Sequence, residues 1–420
     1  MVIKDIVKKY FFHAKNFSLY LLTNVLNAAL MIVINPFFAK NLSPNDYAVI
    51  GYHTSFQIIL LPILNFSFTT YYLRHYFLTP PEEREKLRDT IILMILIWGS
   101  ISIVLSYSFF YFFFKIRNVD IPFFPYFLFT ITTVFLNNFF VLQQIEYRLS
   151  RKAKEFFFLT IGLRLIIITT AIITVVFLKL GAIGKMGATS VCTVLYGTYC
   201  FFKMYKGNKI DWSVFLKAIK FCWPLALSAL LWYFLGSVDR VFLEELKDIE
   251  TLGIYNVAAG LAGYFAVFYT AMAQTMEPDL LKAIVQKKYK RMLLIAVILI
   301  FLNAVPNLVF IVLAKPVVSL LTAGRYNASV PFAKILVLKN ISMSFYYTVV
   351  MIIVGLGYTK SELGNRIIGA AVCYFMYKYL IGRYGFYGAA WGQSLSFLLL
   401  TAIGVGFILI NKKKMTKGQI

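Results

Sequence analysis

Long apolar runs, separated by short basic or polar stretches, recur along the whole chain. A membrane-spanning helix needs about 20 apolar residues. On that scale the pattern predicts twelve spans, at 16–39, 46–72, 89–114, 122–143, 155–178, 182–203, 219–243, 251–276, 290–314, 330–354, 361–381 and 386–410. They take up most of the 420 residues and leave no connection long enough for a soluble domain. The fold class expected is an all-α polytopic membrane protein. Polar positions inside the spans are few and patterned. Span 1 carries Asn24, Asn27, Met31 and Asn35, which at about 100° per residue share one face roughly 80° wide. His53, Gln57 and Asn65 follow in span 2, and Asn137 and Asn138 in span 4. Such side chains are costly against hydrocarbon and face protein or water. Two readings stand for them, interhelical hydrogen bonds or the polar lining of a hydrated cavity.

Composition turns this pattern into an exclusion. The chain is 60% hydrophobic and only 14% charged, against roughly 45–50% and 25% in globular domains. Its mean hydropathy is +0.75. A core of this size cannot hide that surplus, which rules out a secreted disulfide scaffold, a nucleic-acid-binding domain and a soluble enzyme. The net charge of +24, from 42 Lys+Arg against 18 Asp+Glu, is a matter of placement. Basic residues crowd the N-terminus (Lys4, Lys8, Lys9, Lys15), the loops after spans 2, 4, 6 and 8, and the C-terminus (Lys412, Lys413, Lys414, Lys417). The odd loops are poorer. The positive-inside rule therefore puts both termini and every even loop in the cytoplasm, and nucleic acid is not an expected partner. The first span is too long for a signal-peptide core and lacks a cleavage site, so it reads as retained. Cys192, Cys200, Cys222 and Cys373 sit in or at the ends of apolar spans without CxxC spacing, as buried, inert thiols.

The chain also reads as a duplication. Gly181-Ala-Ile-Gly184 opens span 6 and Gly385-Phe-Tyr-Gly388 opens span 12, 204 positions apart. Ala48, near the start of span 2, and Gly253, near the start of span 8, lie 205 apart. Agreement at half the chain length points to two pseudo-symmetric six-helix lobes, 1–203 and 219–420, joined by a basic cytoplasmic linker at 204–218. Transporters built from parallel repeats place their site between the lobes, around a central cavity.

Charges inside the spans sharpen the expectation. Arg164 lies about ten residues, or roughly 15 Å, into span 5, and Lys339 sits at a similar depth in span 10. Each such charge is unfavourable by about 2.5–3.5 kcal/mol at a helix centre. Arg366 lies one to two turns into span 11, and Asp239-Arg240 occupies the outer third of span 7. Snorkelling to an interface competes with a cavity role for the cations, and Asp239 and Arg240 can satisfy each other. Cations outnumber anions, with Asp239 and Glu362 the main acidic candidates, so a cavity lined this way attracts an anion, and arginine suits phosphate. No catalytic, metal-binding or cofactor constellation is present: His13, His53 and His75 share no metal spacing, and no GxxxxGK[ST] occurs.

Several motifs match a known pattern in order and spacing. Asn35-Pro36-Phe-Phe-Ala-Lys-Asn41-Leu42-Ser-Pro44-Asn-Asp46-Tyr47-Ala48 follows a proline near the end of the first helix, with Lys40 and Ala48 where Arg and Gly are usual. Arg74 closes span 2. The second half has Phe221-Cys-Trp-Pro224-Leu-Ala-Leu-Ser228, then Asp239-Arg240, Gly253-Ile254-Tyr255 and Pro278. Over roughly residues 16–410 the chain resembles the Wzx-type polysaccharide flippases of the multidrug/oligosaccharidyl-lipid/polysaccharide exporter superfamily. That resemblance implies a flippase in the bacterial cytoplasmic membrane that moves undecaprenyl-pyrophosphate-linked oligosaccharide outward for O-antigen or capsule assembly. It implies two lobes rocking around a cationic cavity, membrane lipid around the cargo's tail, and polymerase and chain-length proteins as pathway partners. Arg164, Lys339, Arg240 and Arg366 are then the candidate cations for the pyrophosphate, and Asn24, Asn27, Asn35, Gln57 and Asn65 the polar lining. H+ or Na+ is the counter-ion to expect of a coupled relative, with Asp239 and His53 as candidates. Two alternatives remain open: a polysaccharide polymerase of the same pathway, which should carry a large outer loop with catalytic polar residues, and a drug or metabolite exporter of the same superfamily, which acidic cavity residues would favour.

Overall fold

The computed structural model describes the backbone of residues 2–356 and 359–416, with side chains from 19 to 410 apart from 21, 267, 268, 270, 271, 273–275, 278, 285, 357–360 and 362. Pro278 and Glu362 thus lie outside the described side chains. Among the described residues fourteen α-helices follow one another: α1 (Val2–Asn41), α2 (Pro44–Ser55), α3 (Gln57–Asn65), α4 (Phe68–His75), α5 (Arg84–Ile116), α6 (Tyr126–Leu149), α7 (Ala153–Ile172), α8 (Gly181–Met204), α9 (Trp212–Gly236), α10 (Asp239–Glu244), α11 (Ile249–Val285), α12 (Tyr289–Leu321), α13 (Val330–Gly355) and α14 (Thr359–Thr416). Each of the twelve predicted spans falls on helix, and no strand occurs among the described residues. Among the described residues nine stretches are long and apolar enough to cross a membrane, the last of them, Leu363–Ile410, holding two predicted spans. The sides are inverted relative to a soluble protein: Val312 is 81% exposed while Asn138, Asp239 and Asn303 are fully buried. This is a multi-pass membrane protein.

Some features of the helices recur at about the offset read from the sequence. α5 and α12 are each 33 residues long and start 205 positions apart, at Arg84 and Tyr289. Gly181 (φ 57°) and Gly385 (φ 56°) turn the chain at equivalent places, a conformation that costs a side chain and suits glycine. Gly385 is also the kink that divides α14 into two arms. The N-termini of α2 and α11 are capped at matching positions. Ser43 and Asp46 bond reciprocally, Ser43 N to Asp46 Oδ2 at 2.8 Å and Asp46 N to Ser43 Oγ at 3.1 Å, a capping box. Asp248 accepts from the Thr251 amide at 3.0 Å.

The chain packs as two compact units, one of residues 1–42 and 53–230, the other of 43–52 and 231–420. In the first unit, His53, Phe56, Phe110, Phe114 and Phe127 stack into an aromatic core. The sequence pattern predicts span 2 as one helix, yet it is broken. Phe66 (φ 49°) and Ser67 (φ 59°) are both left-handed between α3 and α4. Carbonyls near the break find donors: Trp98 Nε1 donates to Ile63 O at 2.8 Å and Cys222 Sγ to Ser67 O at 3.4 Å. That is the condition for irregular backbone at membrane depth. Span 7 likewise breaks between α9 and α10, where the Ser237 and Val238 amides both bond to Tyr233 O. All four cysteines are buried and free.

The segment between α8 and α9 is docked on α5. Fully buried Asp89 accepts on Oδ2 from the amides of Lys206 (3.0 Å) and Asn208 (3.1 Å) and from Asn208 Nδ2 (2.9 Å). Gly207, at φ +88°, turns the two amides toward one acceptor. Thr90 Oγ1 accepts from the Asp211 amide at 3.2 Å, and Lys86 pairs with the Asp211 carboxylate at 3.0 Å. Hydrogen bonds from Ser213, with Lys86 beside it, hold the Asp211 carboxyl down at about 2.

Candidate functional site

In the first unit the polar stripe of α1 meets the intramembrane arginine of α7. Arg164 Nε donates to Asn27 Oδ1 at 2.6 Å, and Nη1 lies 3.5 Å from Met31 Sδ. Both partners are neutral. Among the described residues no carboxylate forms an ion pair with Arg164, a half-buried guanidinium. Asn24 lies on the same helix and is exposed; Asn35 and Gln57 are half-buried. Asn65 belongs elsewhere. Its Nδ2 donates to Asn138 Oδ1 at 2.9 Å and to Thr69 Oγ1 at 3.2 Å, tying α3 to α6 and α4. His53 is fully buried, with Nε2 2.9 Å from Pro122 O and its ring stacked on Phe114 and Tyr126.

The second unit holds a denser group around Asp239, the first residue of α10. Its Oδ1 accepts from Arg240 Nη1 at 2.8 Å. Its Oδ2 accepts from the Tyr255 hydroxyl of α11 at 2.7 Å and from Gln393 Nε2 of α14 at 2.6 Å. Gln393 also donates to the Tyr255 oxygen at 3.2 Å. Arg240 Nη1 reaches back across the helix break to Gly236 O at 3.4 Å, and its guanidinium sits 5.7 Å from the Tyr255 ring centroid. Lys339, on α13, interacts electrostatically with both Asp239 and Arg240. One carboxylate faces two cations, so the group carries a net charge of about +1. A buried pair of this kind is neutral in sum, and the excess rests on Lys339. Arg366 is half-buried and acts electrostatically on Tyr347.

Three asparagines missed by the sequence pattern lock the helix that carries Lys339. Asn340 Nδ2 donates to Ala262 O at 2.9 Å and to Asn307 Oδ1 at 3.2 Å, and Asn340 O accepts from Asn303 Nδ2 at 2.9 Å. All three are buried. Gln393 was also missed, and Tyr255 was noted only within the Gly253-Ile254-Tyr255 motif, not as a site residue. Their signal was a polar side chain within an apolar run, visible at Gln393, Asn303 and Asn307 but without any indication of the partner.

Residues 13–283 match the profile of a family described as polysaccharide biosynthesis protein. An uncharacterized membrane protein of Methanocaldococcus jannaschii is 22% identical over 262 residues, which covers 56% of this chain and 60% of that protein. The chain thus spans less than two thirds of that relative's length. Among solved structures, an inward-facing multidrug resistance MATE family transporter of the MOP superfamily superposes with a TM-score of 0.70 at 13% identity, covering 95% of this chain and 99% of that one. The lipid II flippase MurJ, in an inward closed conformation, superposes with a TM-score of 0.71 at 16% identity, covering 93% of this chain and 87% of that one. These likenesses show a shared fold.

Proposed function

This chain belongs to the polysaccharide biosynthesis protein family, and we propose that it is a flippase for undecaprenyl-pyrophosphate-linked oligosaccharide repeat units. It works by alternating access in a bacterial cytoplasmic membrane, with both termini on the cytoplasmic side, and supplies O-antigen or capsule assembly. The observation that carries the reading is, in each unit, a cation at membrane depth that forms no ion pair with a carboxylate of its own among the described residues: Arg164 beside neutral Asn27 and Met31, and Lys339 near an Asp239 already paired with Arg240. Membrane proteins keep such charges where a ligand or pathway needs them, and a cation of this kind suits a phosphate head whose lipid tail stays in the bilayer. The flippase among the structural likenesses adds weight to a lipid-linked cargo.

The test is the sidedness of single lipid-linked repeat units in cells depleted of this protein. Units trapped on the cytoplasmic leaflet support translocation. Units accumulating on the outer leaflet mean that flipping is intact, and would turn the assignment to polymerisation.

A further inference from the structure

The nest around Asp239 has an arrangement that a static lock does not need. The hydrogen bonds of Arg240 among the described residues all run to its own stretch of chain. Its partners are Asp239 Oδ1 and the Gly236 carbonyl, and these flank the break at Ser237 and Val238 between α9 and α10. The guanidinium therefore bridges the ends of two helices. Asp239 does not depend on it alone, because Oδ2 keeps two further donors, the Tyr255 hydroxyl and Gln393 Nε2. Losing one partner of a buried ion pair is normally destabilising by several kcal/mol because the other charge is stranded. Here the carboxylate stays hydrogen-bonded.

A spare donor lies in the same nest. The Tyr377 hydroxyl is buried and has no hydrogen-bond partner among the described residues, yet it interacts electrostatically with Asp239, Tyr255 and Arg240. A buried hydroxyl left unmade is unfavourable in the resting arrangement. It becomes useful once Oδ1 is vacated. Lys339 also repels Arg240 and favours its departure toward any anion.

We propose that Arg240 is a latch across the break in the seventh span, opened by the diphosphate of the cargo, with Tyr377 taking the place of Arg240 on Asp239. In the resting state the guanidinium joins Gly236 to Asp239. In the loaded state it pairs with phosphate oxygens, Tyr377 donates to Oδ1, and the turn at 236–241 loosens. Differential contacts in two states are what a ligand needs to shift an equilibrium. The inference rests on the anion-binding reading above and adds the device that reports occupancy.

The experiment uses purified full-length protein in detergent with farnesyl pyrophosphate as probe and farnesol as uncharged control. Binding is followed by calorimetry, and amide hydrogen exchange is followed at 236–241. In the wild type the probe should raise exchange there several-fold, and farnesol should not. Tyr377→Phe removes an atom that has no resting partner, so its melting temperature should stay at or slightly above wild type. It should nevertheless need at least about tenfold more probe for the same exchange, the loss of one hydrogen bond to a charged acceptor. A purely structural tyrosine would not shift the probe response. Binding without increased exchange at 236–241, or a Tyr377→Phe response equal to wild type, overturns the latch and leaves the anion site standing. A probe that fails to bind, or binds equally well to Arg164→Gln and Lys339→Gln, overturns the anion site and the latch with it.

Discussion

Replacing Arg164 by methionine separates function from folding, because the two consequences have different sizes. The variant keeps the length of the side chain and removes its charge. It loses the 2.6 Å hydrogen bond to Asn27 Oδ1, which for a charged donor contributes about 1.5–3 kcal/mol. It also removes a cation at membrane depth, a relief of about 2.5–3.5 kcal/mol on insertion scales. These offset to within about 1–2 kcal/mol, so the amount of protein in the membrane and its melting temperature should stay close to wild type. Nothing offsets the loss of attraction for an anion. A unit charge about 4 Å from a phosphate oxygen contributes roughly 4 kcal/mol at an effective dielectric of about 20. Solvent on a half-exposed side chain removes about half of that. The remaining ~2 kcal/mol is about thirtyfold in head-group affinity. Surface polysaccharide measured by gel, beside immunoblots of the membrane fraction, reads both quantities. Arg164→Lys should retain part of the activity. Asn27→Leu should do the opposite of Arg164→Met, destabilising by about 1–3 kcal/mol because it strands a charged donor. Wild-type polysaccharide in the Arg164→Met strain, or loss of the protein from the membrane, would refute the reasoning.

Further outcomes follow from the geometry. An added Cβ at Gly388 would lie 2.0 Å from Leu380 O, whereas at Gly184 the nearest atoms, Leu180 Cβ and Thr174 O, are at 3.0 Å; Gly388→Ala should therefore lower the melting temperature far more than Gly184→Ala, on the 1–3 kcal/mol scale of overpacking at about the high end. Asp89→Ala removes the acceptor of three N–H groups and should raise amide exchange at Lys206 and Asn208 in otherwise folded protein. The Asp211 carboxyl is held down at about 2 by Ser213 and Lys86, below its usual value of about 3.9. Its contribution to docking the segment 204–212 is complete above about pH 4 and is lost as the pH falls through about 2. Exchange in this segment should rise over that window in the wild type, and Asp211→Asn should flatten the part due to this group.

How much of this was legible in the sequence follows from what carries information locally. Spans announce themselves by apolar length, and Gly181 and Gly385, 204 positions apart, take nearly the same positive φ. The asparagine face of the first span was visible by periodicity, and so was the isolated Arg164; that the two meet was not. The break at Phe66–Ser67 has no glycine or proline at the turn itself, only Pro62 four positions earlier, and its carbonyls are rescued by Trp98 and Cys222. Partners such as Asp239 and Gln393 are 154 residues apart, and Asn340 and Ala262 are 78 apart. Hydrogen bonds at that range leave no periodic trace. Asp89 was hidden for another reason: it sits at the edge of a span and reads as an ordinary boundary charge, while its three donors come from the stretch read only as a basic linker.

The first turns of α2 pack in the second unit, where Gly253 leaves room for the Pro44 carbonyl and Asn256 Nδ2 donates to Tyr47 O at 3.3 Å. A segment made early thus finishes its packing on one made late. With roughly 200 residues between them and synthesis at about 5–20 residues per second, the wait is about 10–40 s. During that interval the stretch 43–52 is already inserted and still without its seat. Half-length translation products should accordingly be the species that quality-control proteases recognise, and co-expressed halves should rescue each other where either alone does not accumulate.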